Sequence, residues 1–524
     1  MKKYLFFGII MIAAALRLWQ IGQVPASPDW DEAALGYNAY SVLKTGRDEY
    51  GTWFPMVLRS FDDYKPPLYM YLTIPSVAIF GLETWAVRLP SAIAGVLAVV
   101  GTYCLVLELF KSRRLALIAS FLLAISPWHI QFSRIAFETN IGVTINIWAV
   151  YLFLKGLQKE KLLMISAFLF GLGFYAYHSE RIFLPLLVVI LSLIFRQELA
   201  KRRREVLVAA IIGFITIAPI LFTFLDPATL SRLRGTSSFA DQTPLLSRSV
   251  AKLEQDQRTG NPWGVIFDNR RLVWMSTVVE GYLSHFSLKW IFLTGDNPRH
   301  HAPDTGLLYL VELPFVLWGL YHLVIDWKEK SSRLILFWFL AAPIAAAPTT
   351  GLPHAIRTLV FLPTFQIMTA IGIKKLPSRF FPFFVLVFVL NVIFYLHMYF
   401  GHMNREYSQF WQYGYKQAVD YVKANNGKYK KIVVSIQLEQ PYIFFLYYLA
   451  YDPAKYLAQG GTKSGGFEEV RNKFDIFEFR PIDWDREKRN RDELYIGTPK
   501  EIRGSVLQSI LYLDGSEAIR IAQQ

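Results

Sequence analysis

The chain is poor in cysteine. Cys104 is its single thiol and lies inside an apolar run. No internal disulfide can form, and no metal site can rest on thiolates. Charge is scarce as well: Asp, Glu, Lys and Arg make up 18% of the residues, less than soluble domains usually carry. The acidic sign is the scarcer one, 41 residues against 55 basic, for a formal net charge of +14. In a soluble protein that excess would suggest nucleic acid. Here the basic residues form short clusters between apolar runs, a pattern that the positive-inside rule explains and that argues against a nucleic-acid partner. An internal repeat is also lacking, which argues against the paired halves of many transporters.

What the sequence does have is apolar length. Hydrophobic residues are 53% of the chain and aromatic residues 16%, and mean hydropathy is +0.29. The expectation is an all-α polytopic membrane protein. Met1-Lys2-Lys3 and the apolar run to Leu18 lack a small-residue cleavage site, so this is a retained first span, Tyr4–Gln20, with its start in the cytoplasm. The segment from Lys65-Pro66-Pro67-Leu68 to Gly81 is short and contains Pro75. If it crossed, Lys111–Arg114 and Lys201–Arg204 would lie outside, so Leu68–Phe80 is read as an interfacial or re-entrant helix on the outer face. The remaining spans are Arg88–Phe110, Leu115–Pro127, Ile141–Leu157, Leu162–Tyr177, Ile182–Phe195, Val206–Leu225, Gly306–Ile325, Leu334–Ala347, Thr358–Ile373 and Phe380–Phe400. That makes about eleven, in a multi-pass protein of the cell membrane with its C-terminus outside.

Residues 1–401 thus form a membrane domain with a first outer loop at 21–88 and a long polar outer loop at 226–305. Residues 402–524 have mixed composition and read as a small extracytoplasmic α/β domain. In it Lys431–Ser435 and Glu493–Ile496 look like strands, Gln412–Asn425 and Pro499–Ser509 look helical, and Gly460-Gly461 and Gly465-Gly466 mark a loop.

On this topology the charges near span ends gather on the outer face: Asp29, Asp31, Glu32, Lys65, Arg88, Arg134, Glu138, His178, Arg181, His354 and Arg357. Charges there are costly and usually have partners or a task. Arg, Lys and His suit a lipid phosphate, and a carboxylate can take a proton from an attacking acceptor. Glu138 lies four residues from Arg134, the spacing of an ion pair on one helical turn. Asp29 also reads as a solvated loop acid. His354 and Arg357, three apart, share a face if helical. His300 and His301, in the long outer loop, are candidates for a metal together with a nearby acid, although no spacing demands one.

The order Asp31-Glu32, Lys65-Pro66-Pro67-Leu68, Arg88-Leu89-Pro90-Ser91 and Ser126-Pro127-Trp128, with Glu138 beyond, resembles the membrane glycosyltransferases of the GT-C fold. The branch it is most similar to is the protein mannosyltransferase and aminoarabinose-transferase-like superfamily, glycosyltransferase family 39-like. The resemblance covers roughly the first 200 residues, and Gly295-Asp296, Arg299-His300-His301 and Pro353–Arg357 extend it more loosely.

The resemblance implies transfer of a monosaccharide from a polyprenyl-phosphate donor to an acceptor hydroxyl, with inversion, on the outer face. It implies Asp31 as base, Glu32 orienting it or touching acceptor, Glu138 as a second acid, and Lys65 on the donor phosphate. Arg88, Arg134, Tyr177, His178, Arg181, His354, Arg357 and, less directly, Asp29 are the remaining candidates for substrate or phosphate. The resemblance implies no certain cofactor, and dependence on a divalent ion, which some relatives use, stays open. The acceptor stays open between glycan, lipid and protein. Phe410-Trp411-Gln412-Tyr413-Gly414-Tyr415 is similar to the acceptor-reading Trp-Trp-Asp-Tyr-Gly motif of oligosaccharyltransferases, with Gln412 at the Asp position. A polytopic transporter or lipid-linked-sugar flippase is the alternative, and a non-catalytic scaffold of this fold is another.

Overall fold

The computed structural model describes residues 2–61, 63–223, 237–239, 243–463, 473–487, 490–504 and 506–523. Helix α1 (Lys2–Leu18) is followed by a segment of helix α2 (Trp30–Thr45), a hairpin of β1 (Leu58–Ser60) and β2 (Asp63–Lys65), and helix α3 (Leu68–Phe80). Then come α4 (Thr84–Phe110), α5 (Arg113–Ile125), α6 (Pro127–Ser133), α7 (Thr139–Gly156), α8 (Glu160–Gly173), α9 (Glu180–Ile194), α10 (Arg196–Ala200) and α11 (Arg203–Thr223).

Each of the eleven predicted spans contains a helix, but few of them are long. Helices α4 and α11, of 27 and 21 residues, and the continuous helical stretch Ser378–Trp411, of 34, have the length and hydropathy to cross by themselves. Helices α5 and α6 form a bent pair with a 58° break. The others fall below the ~20 residues that span hydrocarbon. Helix α3 has 13 residues and runs on through Pro75 instead of breaking there.

The bend at Ser126–Pro127 matters because α6 carries the site. Arg17 of α1 donates to the carbonyls of Leu123 and Ala124, at 3.2 and 2.8 Å, and lies 2.7 Å from a ring nitrogen of His129. It thereby satisfies the carbonyls that α5 leaves open where it ends. Helix α4 passes so close to α6 that a Cβ on Gly95 would lie 2.3 Å from Ser133 Oγ, the close approach that small residues allow inside a membrane.

The predicted outer loop at 226–305 holds helices at Thr243–Thr259 and Arg270–Ser284. Its first part, 226–236, and the end of the predicted span at Leu225 lie outside the described residues.

The C-terminal part is a six-stranded sheet in the order β4-β5-β3-β6-β8-β7. Strand β3 (Lys431–Val434) is central and runs parallel to β5 (Phe477–Phe479) and β6 (Glu493–Gly497). Strands β4 (Lys473–Phe474), β7 (Val506–Leu511) and β8 (Glu517–Ala522) are antiparallel to their neighbours. Helices Tyr415–Ala424 and Pro441–Leu449 pack with the sheet in one apolar core that also includes Ala33, Leu35 and Tyr37 of α2. The helix expected over Pro499–Ser509 is absent: Val506–Leu511 forms the edge strand. Pairing with β8 decides that segment, as tertiary contact commonly overrides local preference. Gly465 and Gly466 lie outside the described residues.

Candidate active site

The first outer loop is shaped by a local rule. Asp29 caps α2: its side chain accepts from the Glu32 backbone N–H at 2.9 Å, and the Glu32 side chain accepts from that of Asp29 at 3.3 Å. This is a capping box, satisfying two helix-end donors at once. Asp29 is therefore no solvated loop acid. It is fully buried and forms an ion pair with Arg299 at 3.1 Å. Burial, and then the neighbouring Asp31 carboxylate, push its pKa up to about 7.

Glu32 is spent on structure. Its two oxygens accept from Arg88 Nε and a terminal nitrogen, both at 2.8 Å, and Oε1 also accepts from the Ala136 N–H at 2.7 Å. Arg88 turns its remaining donors to the carbonyls of Ile21, Pro25 and Ser27, at 3.0, 2.9 and 2.8 Å. All five guanidinium hydrogens have acceptors, so Arg88 has none to offer a phosphate. Arg134 likewise donates to the carbonyls of Leu16 and Val24 and lies against the rings of Tyr399 and Phe400. Arg134 and Glu138 do not share a helical turn, because α6 stops at Ser133 and α7 begins at Thr139.

Asp31, the remaining acid of the Asp29–Glu32 cluster, is turned differently. It pairs with Lys65 Nζ, and its side chain keeps 31% of its exposure against 6% for Lys65. Lys65 ends β2, just before Pro66 and Pro67 start α3. Burial alone would push its pKa down, but Asp31, Glu138 and Asp63 together push it up. A buried ammonium thus lies among three carboxylates, two of which, Asp31 and Glu138, are sequence candidates. The turn after α8 meets the same place, since Tyr175 O accepts from Leu68 N–H at 3.1 Å. Tyr177 and His178 belong to that turn and Arg181 to the first turn of α9; Arg181 lies 3.4 Å from a ring nitrogen of His178 and donates to Phe174 O at 3.4 Å.

The long outer loop reaches in from the other side. Arg299 stacks 4.6 Å over Trp30, and its carbonyl accepts from Gln131 of α6 at 2.6 Å. His300 lies 3.0 Å from Asp296 Oδ2, and its ring is 5.1 Å from that of His354. Phe137, beside Glu138, is 6.3 Å from the same ring. One ligand atom from each of Asp296, His300 and His354 lies within 4.8 Å of the others. His354 Nδ1 is buried without a hydrogen-bond partner, and two imidazoles with a carboxylate are a donor set that suits zinc or manganese.

His301, the other metal candidate, faces elsewhere: its Nδ1 donates to Ala302 O at 2.7 Å and its ring meets Tyr407. His354 and Arg357 are on a turn and not a helix, and Arg357 donates to Thr349 Oγ1 and Thr350 O at 2.6 Å each. Asp296 and Arg299 join the site without a role that their sequence context assigns. The spacing of Asp296 and His300, four apart, was the available signal for the first. Nothing local marks the pairing of Arg299 with Asp29.

The profile of the dolichyl-phosphate-mannose-protein mannosyltransferase family matches residues 64–222. YkcB of Bacillus subtilis (strain 168), provisionally named a mannosyltransferase, is 35% identical over 112 residues, 21% of this chain and 16% of its own. The chain therefore spans about one sixth of that curated relative. ArnT from Cupriavidus metallidurans in the apo state aligns over 99% of this chain and 97% of its own, with a TM-score of 0.57 and 11% identity; its structure bound to undecaprenyl phosphate gives 0.50. The archaeal oligosaccharyltransferase AglB from Archaeoglobus fulgidus, in complex with an inhibitory peptide and a dolichol-phosphate, aligns over 85% of this chain and 63% of its own, with a TM-score of 0.52 and 14% identity. The chain has the GT-C glycosyltransferase fold.

Proposed function

We propose that this protein is a membrane glycosyltransferase that moves a monosaccharide from a polyprenyl-phosphate donor to an acceptor hydroxyl on the outer face, with inversion. The observation that carries this reading is Lys65, buried among Asp31, Glu138 and Asp63, on a GT-C fold. Asp31, the more exposed partner of that pair, accepts the proton of the acceptor hydroxyl. The acceptor oxygen attacks the anomeric carbon from the side opposite the phosphate. The bond from that carbon to the phosphate oxygen breaks, its electrons leave with the polyprenyl phosphate, and the Asp31 proton passes to water. A single displacement inverts the centre. Lys65, with His178 of the adjoining turn and Arg181 at the start of α9, holds the phosphate. Glu138 contacts the acceptor or a sugar hydroxyl, while Glu32 and Arg88 act by positioning the loop. The N-terminus is cytoplasmic, and the site and C-terminus are outside.

The test uses the purified full-length protein, polyprenyl phosphates carrying labelled mannose, glucose or N-acetylglucosamine, and envelopes from the source cell deleted for this protein. Label leaving the lipid fraction with free polyprenyl phosphate is the expected result. Label that stays in the lipid for all three donors overturns the proposal.

Asp296, His300 and His354 would hold a divalent ion, which would supply Lewis-acid chemistry. A ligand at 100 times its Kd stabilises the folded state by about 2.7 kcal/mol. Zinc or manganese chloride is therefore expected to raise the unfolding temperature of the wild type and not of His354→Ala. Equal shifts in both proteins would remove the site.

A further inference from the structure

A groove of about 510 Å³ lies between the outer loops of the membrane part and the C-terminal sheet, inside the ~300–1,000 Å³ of small-ligand sites. Trp30 and Arg299 form one wall, Phe410 and Tyr413 follow the last span, and Gln437 and Glu439 come from the loop after β3. Trp30 opens α2, whose first turn also carries Asp31, the proposed base.

The chemistry of this lining is selective. Aromatic rings (Trp30, Phe410, Tyr413, Tyr512) alternate with planar amides (Asn297, Gln412, Gln437). Among the described residues its full charges are Arg299, already paired with Asp29, and Glu439. An acyl chain would want fewer amides, and a phosphate or polyanion more cations. Sugars have apolar C–H faces that pack on aromatic rings and edge hydroxyls that both donate and accept. A side-chain amide offers a donor and an acceptor in one plane.

The backbone around the groove is strained. Gln412, Glu439 and Gln440 have φ of 45°, 62° and 52°, a region that non-glycine residues rarely occupy and that persists only where surrounding structure enforces it. Tyr415 provides that enforcement: its hydroxyl donates to the carbonyls of Leu438 and Glu439 at 2.5 and 2.9 Å, and its ring stacks on Phe444 at 4.2 Å. Gln412, only 8% exposed, has a side-chain oxygen with no hydrogen-bond partner. The strain thus holds an unsatisfied amide beside the groove.

We infer that this groove binds the acceptor and that the acceptor is a saccharide, which presents a sugar hydroxyl to Asp31; the inference rests on the glycosyl-transfer reading above. The test measures binding rather than turnover. Full-length protein in lipid nanodiscs, free of sugar detergents, is applied to an array printed with defined oligosaccharides, glycan fragments released from the source cell's envelope, Ser/Thr peptides and phospholipids. Saccharide spots are expected to bind. Trp30→Ala and Gln412→Gly are each expected to weaken the same spots at least tenfold.

Gln412→Gly separates binding from folding, because glycine accepts a φ of 45° without strain; its unfolding temperature should not fall. Binding to peptide or phospholipid spots alone overturns the saccharide class. Unchanged binding in both variants overturns the groove. If no saccharide binds while the wild type still releases label from its donor, only the acceptor inference fails. If saccharides bind but no label is released, the transfer reading fails instead.

Discussion

Replacing Asp31 by asparagine is expected to lower kcat for sugar transfer by ~10²–10⁴, the usual contribution of a positioned general base, with the donor KM changed far less. Asparagine keeps the size of the side chain and can still accept a hydrogen bond from Lys65, but it cannot take a proton from the acceptor. The loop should survive the change, because its geometry does not depend on Asp31. The capping box of Asp29 and Glu32 and the Arg88 clamp on Glu32 hold α2 in place. Lys65 also keeps the compensation of Glu138 and Asp63.

Lys65→Ala is the contrast, since its loss falls on the phosphate and appears in KM as well as kcat. The measurement is steady-state transfer of labelled sugar by both variants, with the unfolding temperature as a control for folding. If Asp31→Asn keeps transfer within about threefold of wild type, Asp31 is not the base, since even a weak general base contributes ~10².

The helices of the membrane part are legible because apolar runs and the basic clusters between them follow from the cost of burying backbone and charge in hydrocarbon. Their lengths are less so. A run of hydrophobic residues does not reveal where the chain bends, as between α5 and α6, nor that short helices end against irregular protein-covered segments.

Within the site, composition singles out the residues but not their division of labour. Asp29, Asp31 and Glu32 look equivalent by type. Their spacing does contain the answer for two of them, since an acid followed three residues later by Glu at a helix start is a capping box. Arg88 and Arg134 resemble phosphate ligands in sequence because an arginine near a span end is costly whatever it does. Which carbonyls it serves depends on segments 61 to 118 residues away. The cluster of Asp296, His300 and His354 joins two loops across a span pair and is legible only in its first half. The edge strand β7 reads as helix in sequence because an exposed strand is fixed by its partner and not by its own pattern.

Arg88→Ala is expected to destabilise the protein by ~3–5 kcal/mol, the range for breaking one side of a buried ion pair. The variant leaves the Glu32 carboxylate buried without its counter-charge, and leaves the carbonyls of Ile21, Pro25 and Ser27 without a donor. Arg88→Lys should recover little, because one ammonium cannot reproduce a planar set of five donors. The outcome separates clamp from ligand. A phosphate ligand lost at Arg88 would raise the donor KM and leave unfolding unchanged. A lost clamp lowers the unfolding temperature, and transfer falls through the misplacement of Asp31 on the same loop.

Pairing the change with Glu32→Gln sharpens the point. Once Glu32 is neutral, losing Arg88 should cost less than in the wild type, an interaction energy that a double-mutant cycle reads directly. Additive effects of the two substitutions on stability would show that the pair does not act as one unit. An Arg88→Ala variant with wild-type unfolding and a raised donor KM would restore Arg88 to the phosphate.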